Sequence, residues 1–516
     1  MIFLKLNIIK RVKKKEETVN KVPPSPSVDT STLLNIENLK NLLGSSEDIK
    51  YREILINNNT AMLVNLIYID GLVNSSDLSN YVVKPLIQNE KIKGSQNADE
   101  IIKLIQDGAL YFSSQVMTND LQKVIDEITS GSSILLFSDQ NTGFIYDTKG
   151  FEKRSIIEPT VENVTKGPKD SFVENYRTNT ATIRRRIKTQ DLVIENIIIG
   201  KQSHTSIGIV YIKSITNEQL LQQVRNRLGL INCDKVFSTS IIEDALSDDL
   251  NSSFPQVLST ERPDKFAADL DEGRVGIIVD GIPFGFIVPG TLVQFMQATE
   301  DYSHKSVVSS LIRMIRVVAI LISLALPGLY ISIATFNPEM IPTQLASFLA
   351  KSREGVTFPI AIETVAMLFS FEILYEAGLR VPKTIGQAVS IVGTLVVGQA
   401  AVEAKLVSPA IVVIVAMTAI SSFTVPNQDF SNVIRIWRFV LAAVSTVLGL
   451  LGFVLMLIVF TFKLCKLESF GVSYLSPFVS NDGNGIMEDT ILKFQPKFNK
   501  LRPTSLNVKN KKKQGD

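Results

Sequence analysis

Cysteine and histidine are almost missing from this chain. Its 516 residues hold two of each, Cys233 and Cys465, His204 and His304. Two distant cysteines build neither a disulfide framework nor a cysteine-based zinc site, and two histidines leave little for another metal centre. No GxxxxGK[ST] loop, HExxH or Ser/His/Asp signature occurs, so no nucleotide-driven cycle, catalytic residue, metal or cofactor is expected. Charge of one sign is missing too. Lys+Arg number 53 against 51 Asp+Glu, a net charge of +2, which gives no footing for wholesale nucleic-acid binding. The opening MIFLKLNIIKRVKKKEE lacks the order of a secretory signal, because Lys5 interrupts its apolar run. It reads as a basic arm suited to anionic lipid or as a solvated end, and the soluble part is expected in the cytosol.

What the chain does have is a sharp division. Residues 1–306 carry most of the charge, 307–462 are dominated by apolar runs, and 463–516 form a polar tail. The expected class is a soluble α+β N-terminal region of two related subdomains followed by an α-helical membrane bundle. The expected segments are a basic arm and Pro/Ser linker (1–32), subdomain 1 (33–150), a helical connector (151–205), subdomain 2 (206–306), a transmembrane domain of four to five crossings (307–462) and the tail.

Two subdomains are expected because the soluble half repeats. YIDGLVN at 68–74 and YIKSITN at 211–217 each follow an apolar β-type run and precede a helical pattern. GFIY at 143–146 and GFIV at 285–288 each close a hairpin, the second across the tight-turn pair Asp280-Gly281. Shared order and spacing predict related units over roughly 60–147 and 206–290. Between them, Asp170 or Ser171 is expected to cap a helix from Phe172 to about Ile187. Its basic end, Arg184, Arg185 and Arg186 followed by Lys188, suits the helix dipole and reads as a solvated face or a docking strip.

Five apolar segments follow, at about 315–336, 356–379, 384–402, 407–425 and 437–462, several near the roughly 20 residues that a membrane-crossing helix needs. Pro327-Gly328 predicts a kink in the first. Gly386, Ser390, Gly393, Ala400 and Ala404 form a small-residue packing stripe in and just beyond the third. Five crossings would put the tail opposite the soluble half, yet its lysines prefer the cytosolic side. Four crossings and a re-entrant piece would resolve this, with both ends cytosolic.

The second segment, FPIAIETVAMLFSFEILYEAGLRVP, carries three acids. Glu376 and Arg380 stand i, i+4 and form a candidate ion pair near the interface. Glu363 has no local partner, so it faces either a wet path or a hydrogen bond inside the bundle. Glu403 reads as a solvated loop residue.

The stretches EPTVENVTKGPKDSFVENYRTNTATIRRRIK, STERPDKFAADLDEGRVGIIVDGIPFGFIVPG, LPGLYISIATFNPEMIP and FEILYEAGLRVPKTIGQ, with the residues on to TAISSFTVP, closely resemble the A subunits of spore nutrient-germinant receptors, the GerA family. The resemblance covers about 150–460. It implies a spore inner-membrane protein that works with a permease-like B subunit holding the germinant and a lipoprotein C subunit. It also implies a homo-oligomer, possibly a pentamer, that conducts ions once nutrient binds. Thr357, Ile360, Glu363 and Glu372 are then the candidate ion path. Glu261, Arg262, Asp264 and Asp280, in the matched ERPD and VDGIPF motifs, join Arg184, Arg185 and Arg186 as candidate coupling or docking residues. Two positions depart from the family pattern, Tyr375 for a basic residue before EAG and Ile282 in VDGIPF, and the first leaves Arg380 as partner of Glu376. The alternatives are a stage V sporulation-type paralogue acting in ion release, a proton-coupled transporter using Glu363 and Glu372, and a scaffold with no conduction.

Overall fold

The computed structural model describes residues 33–59, 62–150, 159, 162–380, 398–479, 489–493 and 501–513. Five strands, β1 (Ile49–Leu55), β2 (Leu63–Ile69), β3 (Gln115–Thr118), β4 (Ser133–Phe137) and β5 (Thr142–Tyr146), form an antiparallel sheet of order β1-β2-β4-β5-β3. Five more, β6 (Leu192–Ile199), β7 (Thr205–Ile212), β8 (Leu258–Thr260), β9 (Val275–Val279) and β10 (Gly285–Val288), repeat that order as β6-β7-β9-β10-β8. The longer helices of the soluble half, of eight residues or more, are α1 (Ile36–Leu43), α2 (Ala98–Gln106), α3 (Leu121–Thr129), α4 (Tyr176–Arg186), α5 (Glu218–Gly229), α6 (Thr239–Leu246) and α7 (Pro263–Asp271).

The duplication read from sequence is thus a duplication of topology. Tyr68 lies in β2 and Tyr211 in β7; Gly143 opens its pairing with Thr118 of β3 as Gly285 does with Thr260 of β8. Both units start earlier than expected, because β1 and β6 precede the apolar runs that mark β2 and β7. The sequence of β1, IKYREIL, is largely exposed, so no apolar alternation announces it. The described residues of 151–205 include helix α4 and strand β6, so they are not helical throughout. Helix α4 begins at Tyr176, capped by Asn175, whose side chain accepts from the Thr178 amide at 3.0 Å. Asp170 instead pairs with Arg186.

Both faces of the first sheet are covered. Leu66, Leu135 and Phe144 pack with Ile101 and Ile105 of α2 on one side; Ile67, Ile134 and Ile145 pack with Val124 and Ile128 of α3 on the other. That is why β4 reads as the unbroken SILLF. Helix α4 wedges between the copies, with Ala181 in the first core and Ile183 in the second.

The apolar half holds α8 (Ser306–Phe336), α9 (Thr343–Ser352), α10 (Ile360–Arg380), α11 (Pro409–Ser422) and α12 (Gln428–Lys466). Two of these, α8 and α12, are by length and composition long and apolar enough to cross a membrane. Helix α8 runs as one uninterrupted helix through Pro327, the site of the expected kink. The break lies in α12, at Gly449 with φ 61° and ψ −141°. There the chain folds back on itself. The rings of Trp437 and Phe460 are 5.3 Å apart, and Lys463 Nζ is 5.3 Å from the Trp437 ring. One straight helix would separate Trp437 from Phe460 by roughly 35 Å. A Cβ at residue 449 would stand 2.8 Å from the Phe336 ring at the end of α8, so glycine is required both by its left-handed φ and by this approach. The last apolar segment is therefore a hairpin of two arms, 428–448 and 450–466, and not a single long crossing. Its second arm returns the tail to the soluble half, where the Leu292 amide donates to Tyr474 O at 2.8 Å. The tail and the soluble half thus meet at the same end of the bundle. Most of segment three, with Gly386, Ser390 and Gly393, lies outside the described residues.

Candidate functional site

The acids of α10 are paired inside the bundle. Glu363 is fully buried; Arg353 Nη2, just past α9, donates to its Oε1 at 2.9 Å, and the Ser408 amide, at the start of α11, donates to its Oε2 at 2.9 Å. Tyr330 of α8 lies beside this group. Of the two readings of Glu363, a wet path or a hydrogen bond inside the bundle, the bonds seen are of the second kind, and Arg353 arrives from a loop ten residues upstream that helical spacing does not reach. Glu372 bridges two guanidiniums of α12, Arg435 Nη1 at 2.5 Å and Arg438 Nη2 at 3.3 Å. Arg435 also lies over the Tyr375 ring at 4.3 Å, and Gln428 donates to the Tyr375 hydroxyl at 2.7 Å. Tyr375, where a basic residue was expected, thus faces an arginine. Glu376 and Arg380 form the expected i, i+4 pair at 2.7 Å, but in the open, where such a pair is worth little.

Of the remaining candidate path residues, Ile360 is buried in the bundle core, and the exposed Thr357 donates its amide to Lys405 O. The face of α10 turned away from the bundle carries Ile362, Val365, Phe369, Ile373, Glu376 and Arg380. Glu376 is therefore the acid presented outward, and Glu363 and Glu372 are bundle ties.

The soluble candidates are mostly interior clamps. Arg184 is 1% exposed and grips Asp48 with Nε at 2.8 Å and Nη2 at 2.9 Å. Arg262, 0% exposed, holds Asp264 with Nε and Nη2 and pins Pro168 O at 2.8 Å. Asp280 accepts the Tyr176 amide at the start of α4, at 3.1 Å. Glu261 is buried and its carbonyl accepts the Phe172 amide. Arg185 and Asp280 stand exposed. Arg184 and Arg262, buried and bonded, organise the fold around them.

Sequence reading missed the junction between the two halves. One hydrophobic core runs from Leu258 and Phe266 in subdomain 2 through Phe254 and Phe295 to Trp437, Leu441 and Phe453 in the bundle. Phe254 stacks on Trp437, meets Phe460 edge-on, and Trp437 Nε1 donates to Ser253 Oγ at 3.1 Å. A lone tryptophan just before an apolar run was the available signal. At the rim, Ser259 Oγ donates to Asp429 Oδ2 at 3.3 Å, and burial together with the Asp429 carboxylate pushes Glu243 of α6 up to about 7.

A carboxyl raised above its unfolded value is bound to more protons in the folded state, so stability falls as pH rises towards about 7 and is then level. Glu243→Gln is expected to flatten the loss of thermal stability between about pH 5 and 7. Asp269, pushed up to about 6 by burial, contributes with the same sign in both proteins, so the comparison isolates Glu243.

A duplicated α+β base continuous with a bundle of apolar helices defines a membrane-associated, two-part protein with no visible catalytic machinery among the described residues. Residues 37–505 match the family model described as Bacillus/Clostridium GerA spore germination protein. Spore germination protein KA of Bacillus subtilis (strain 168) is 38% identical over 95% of this chain and 89% of its own. Spore germination protein B1 of the same strain is 37% identical over 92% and 97%, and GerLA of Bacillus cereus 32% over 92% and 97%. The N-terminal domain of the A subunit of the Bacillus megaterium spore germinant receptor GerK3 is 29% identical, covering 52% of this chain and 99% of that domain, with a TM-score of 0.39. The chain belongs to the GerA spore germination family.

Proposed function

We propose that this chain is the A subunit of a spore germinant receptor, acting in the spore inner membrane as an oligomeric, nutrient-gated ion channel and signal transducer. A permease-like subunit would hold the nutrient and a lipoprotein would complete the receptor, with the soluble half on the cytosolic side. Family membership supports the receptor role. The observation that carries the transducing role is the single core running from subdomain 2 into the bundle. Movement of the base cannot leave α12 behind, and α12 holds α10 through Glu372. Nutrient binding to the partner would shift a closed–open equilibrium by differential affinity.

In an oligomer, the outward face of α10 would line the path. Its Ile362, Val365, Phe369 and Ile373 form an apolar constriction of the kind that gates by dewetting, with Glu376 at the mouth. Glu363 and Glu372 then serve the path indirectly, by fixing that face. The same pairing speaks against a proton carrier, which would have to break an ion pair in every cycle. The relatives' names favour the receptor over a stage V paralogue.

The test is reconstitution of the receptor in liposomes. Glu376→Gln is expected to lower cation selectivity several-fold with folding intact, while cysteines at Phe369 and Ile373 react with water-soluble thiol reagents only when nutrient is present. No nutrient-dependent current, or constant reactivity, rejects the channel.

A further inference from the structure

The duplication supplies an internal comparison. Thr118, Leu121, Ser133 and Gly143 of the first copy stand 142 positions before Thr260, Pro263, Val275 and Gly285 of the second. The correspondence extends to hydrogen bonds. Thr260 Oγ1 accepts the Arg262 amide at 3.1 Å, and Thr118 Oγ1 accepts the Asp120 amide at 3.2 Å. In the second copy this corner holds a carboxylate. Glu162 receives the Thr260 hydroxyl, the Glu261 amide at 3.2 Å and Lys265 Nζ at 3.3 Å.

The first copy has the same three donors at the same spacing, the Thr118 hydroxyl, the Asn119 amide and Lys123. Lys123 and Asn119 are exposed, and among the described residues no acid meets them. Helix α3 is already capped by Asp120, which accepts the Gln122 and Lys123 amides, so the seat is not simply a helix end.

The segment that fills the corner in the second copy also has a counterpart. Glu162 comes from the chain leading into α4, which passes Phe172 over Gly285, 2.8 Å from a Cβ built there. In the first copy Leu34, leading into α1, sits in the same way over Gly143 at 3.2 Å, and Thr118 O is 3.6 Å from the same point. Leu34, at the start of the described residues, therefore lies beside the open seat. The acids upstream of it are Glu16, Glu17 and Asp29. Five residues span at most roughly 17 Å, ample for Asp29, and loop closure favours it over the two glutamates.

We propose that Thr118, the Asn119 amide and Lys123 form a carboxylate-binding seat on subdomain 1, and that its occupant is Asp29 of the chain's own N-terminal arm. The hold is weaker than in the second copy. Asp120 stands where Arg262 pins the main chain of the incoming segment, so the first arm is gripped by its carboxylate alone and can be released.

The test uses the full-length protein in detergent, with Cys233 and Cys465 replaced by serine. Asp29→Cys with Lys123→Cys is expected to lose labelling by a maleimide polymer after mild oxidation and regain it on reduction, whereas Asp29→Cys with Lys91→Cys stays labelled. Independently, Lys123→Glu should speed tryptic cleavage at Lys21 about five- to tenfold, and Asp29→Lys in that background should restore protection. Equal labelling of both pairs together with unchanged cleavage overturns the proposal. So does loss of a co-purifying partner on Lys123→Glu that Asp29 variants do not reproduce, since the seat would then take a carboxylate from another protein.

Discussion

Glu372→Ala is expected to lower the thermal unfolding midpoint of the detergent-solubilised protein by roughly 10 °C, the scale set by breaking a buried ion pair at about 3–5 kcal/mol. The cause is the arithmetic of charge at that point of the bundle. One carboxylate faces two guanidiniums, and the Arg438 side chain is only 2% exposed. Arginine cannot escape by deprotonation. Without Glu372 the two cations repel each other in apolar surroundings, and water must enter to solvate them. Glu372→Gln keeps an acceptor and should lose less. Removing Arg438 as well, in Glu372→Gln with Arg438→Met, should recover much of the loss, because Arg435 is more exposed and still lies over Tyr375. A midpoint unchanged in Glu372→Ala would mean that α10 and α12 are held elsewhere. Differential scanning of the three variants settles the order.

How much of this was readable beforehand follows from the range of each signal. Hairpins β4–β5 and β9–β10 were legible because their partners are near in sequence and both faces are apolar, and α5 because Leu220, Leu221, Val224 and Leu228 recur at helical spacing. The duplication was legible from YIDGLVN, YIKSITN, GFIY and GFIV because a repeat needs no folding rule. Strand β1 was not, since an edge strand with Lys50, Arg52 and Glu53 outward carries no alternation. The fold-back of α12 was hidden for a different reason. Hydropathy sees only that Gln428–Lys466 is apolar; one glycine at φ 61° reverses the chain, and helices tolerate glycine without reversing. The pair Glu376–Arg380 was readable from i, i+4 spacing, whereas Arg353 and Arg435 reach Glu363 and Glu372 from other helices and loops. The burial of the soluble motifs was not legible in the sequence. Charged residues in a soluble region read as surface until burial is known, and Arg184, Arg262 and Asp264 are interior.

Arg184→Ala is expected to be the most damaging change in the soluble half, costing about 3–5 kcal/mol. Arg184 touches both copies. It belongs to α4, whose Ile183 lies in the second core, and its guanidinium grips Asp48 at the entrance to β1. Its Nη2 also donates to Ser46 Oγ at 2.6 Å, and that oxygen accepts the Ile194 amide of β6 at 2.9 Å. The Glu47 amide donates to Ile194 O at 3.0 Å. One side chain thus seats the segment 46–48 against the second sheet. Truncation leaves the Asp48 carboxylate with one of its three side-chain bonds, that from Ser46 Oγ, in a closed site and strips a charged donor from Ser46. Lysine cannot replace the bidentate geometry, so Arg184→Lys should fall between wild type and alanine. The separating control is Arg184→Met with Asp48→Asn, which removes both charges. Stability should then return most of the way, but the subdomains should no longer share one unfolding transition, because the directional tie is gone. Hydrogen exchange at the β1 and β6 amides reads this directly. Protection in β6 that survives Arg184→Ala unchanged would show that α4 packing alone joins the two copies.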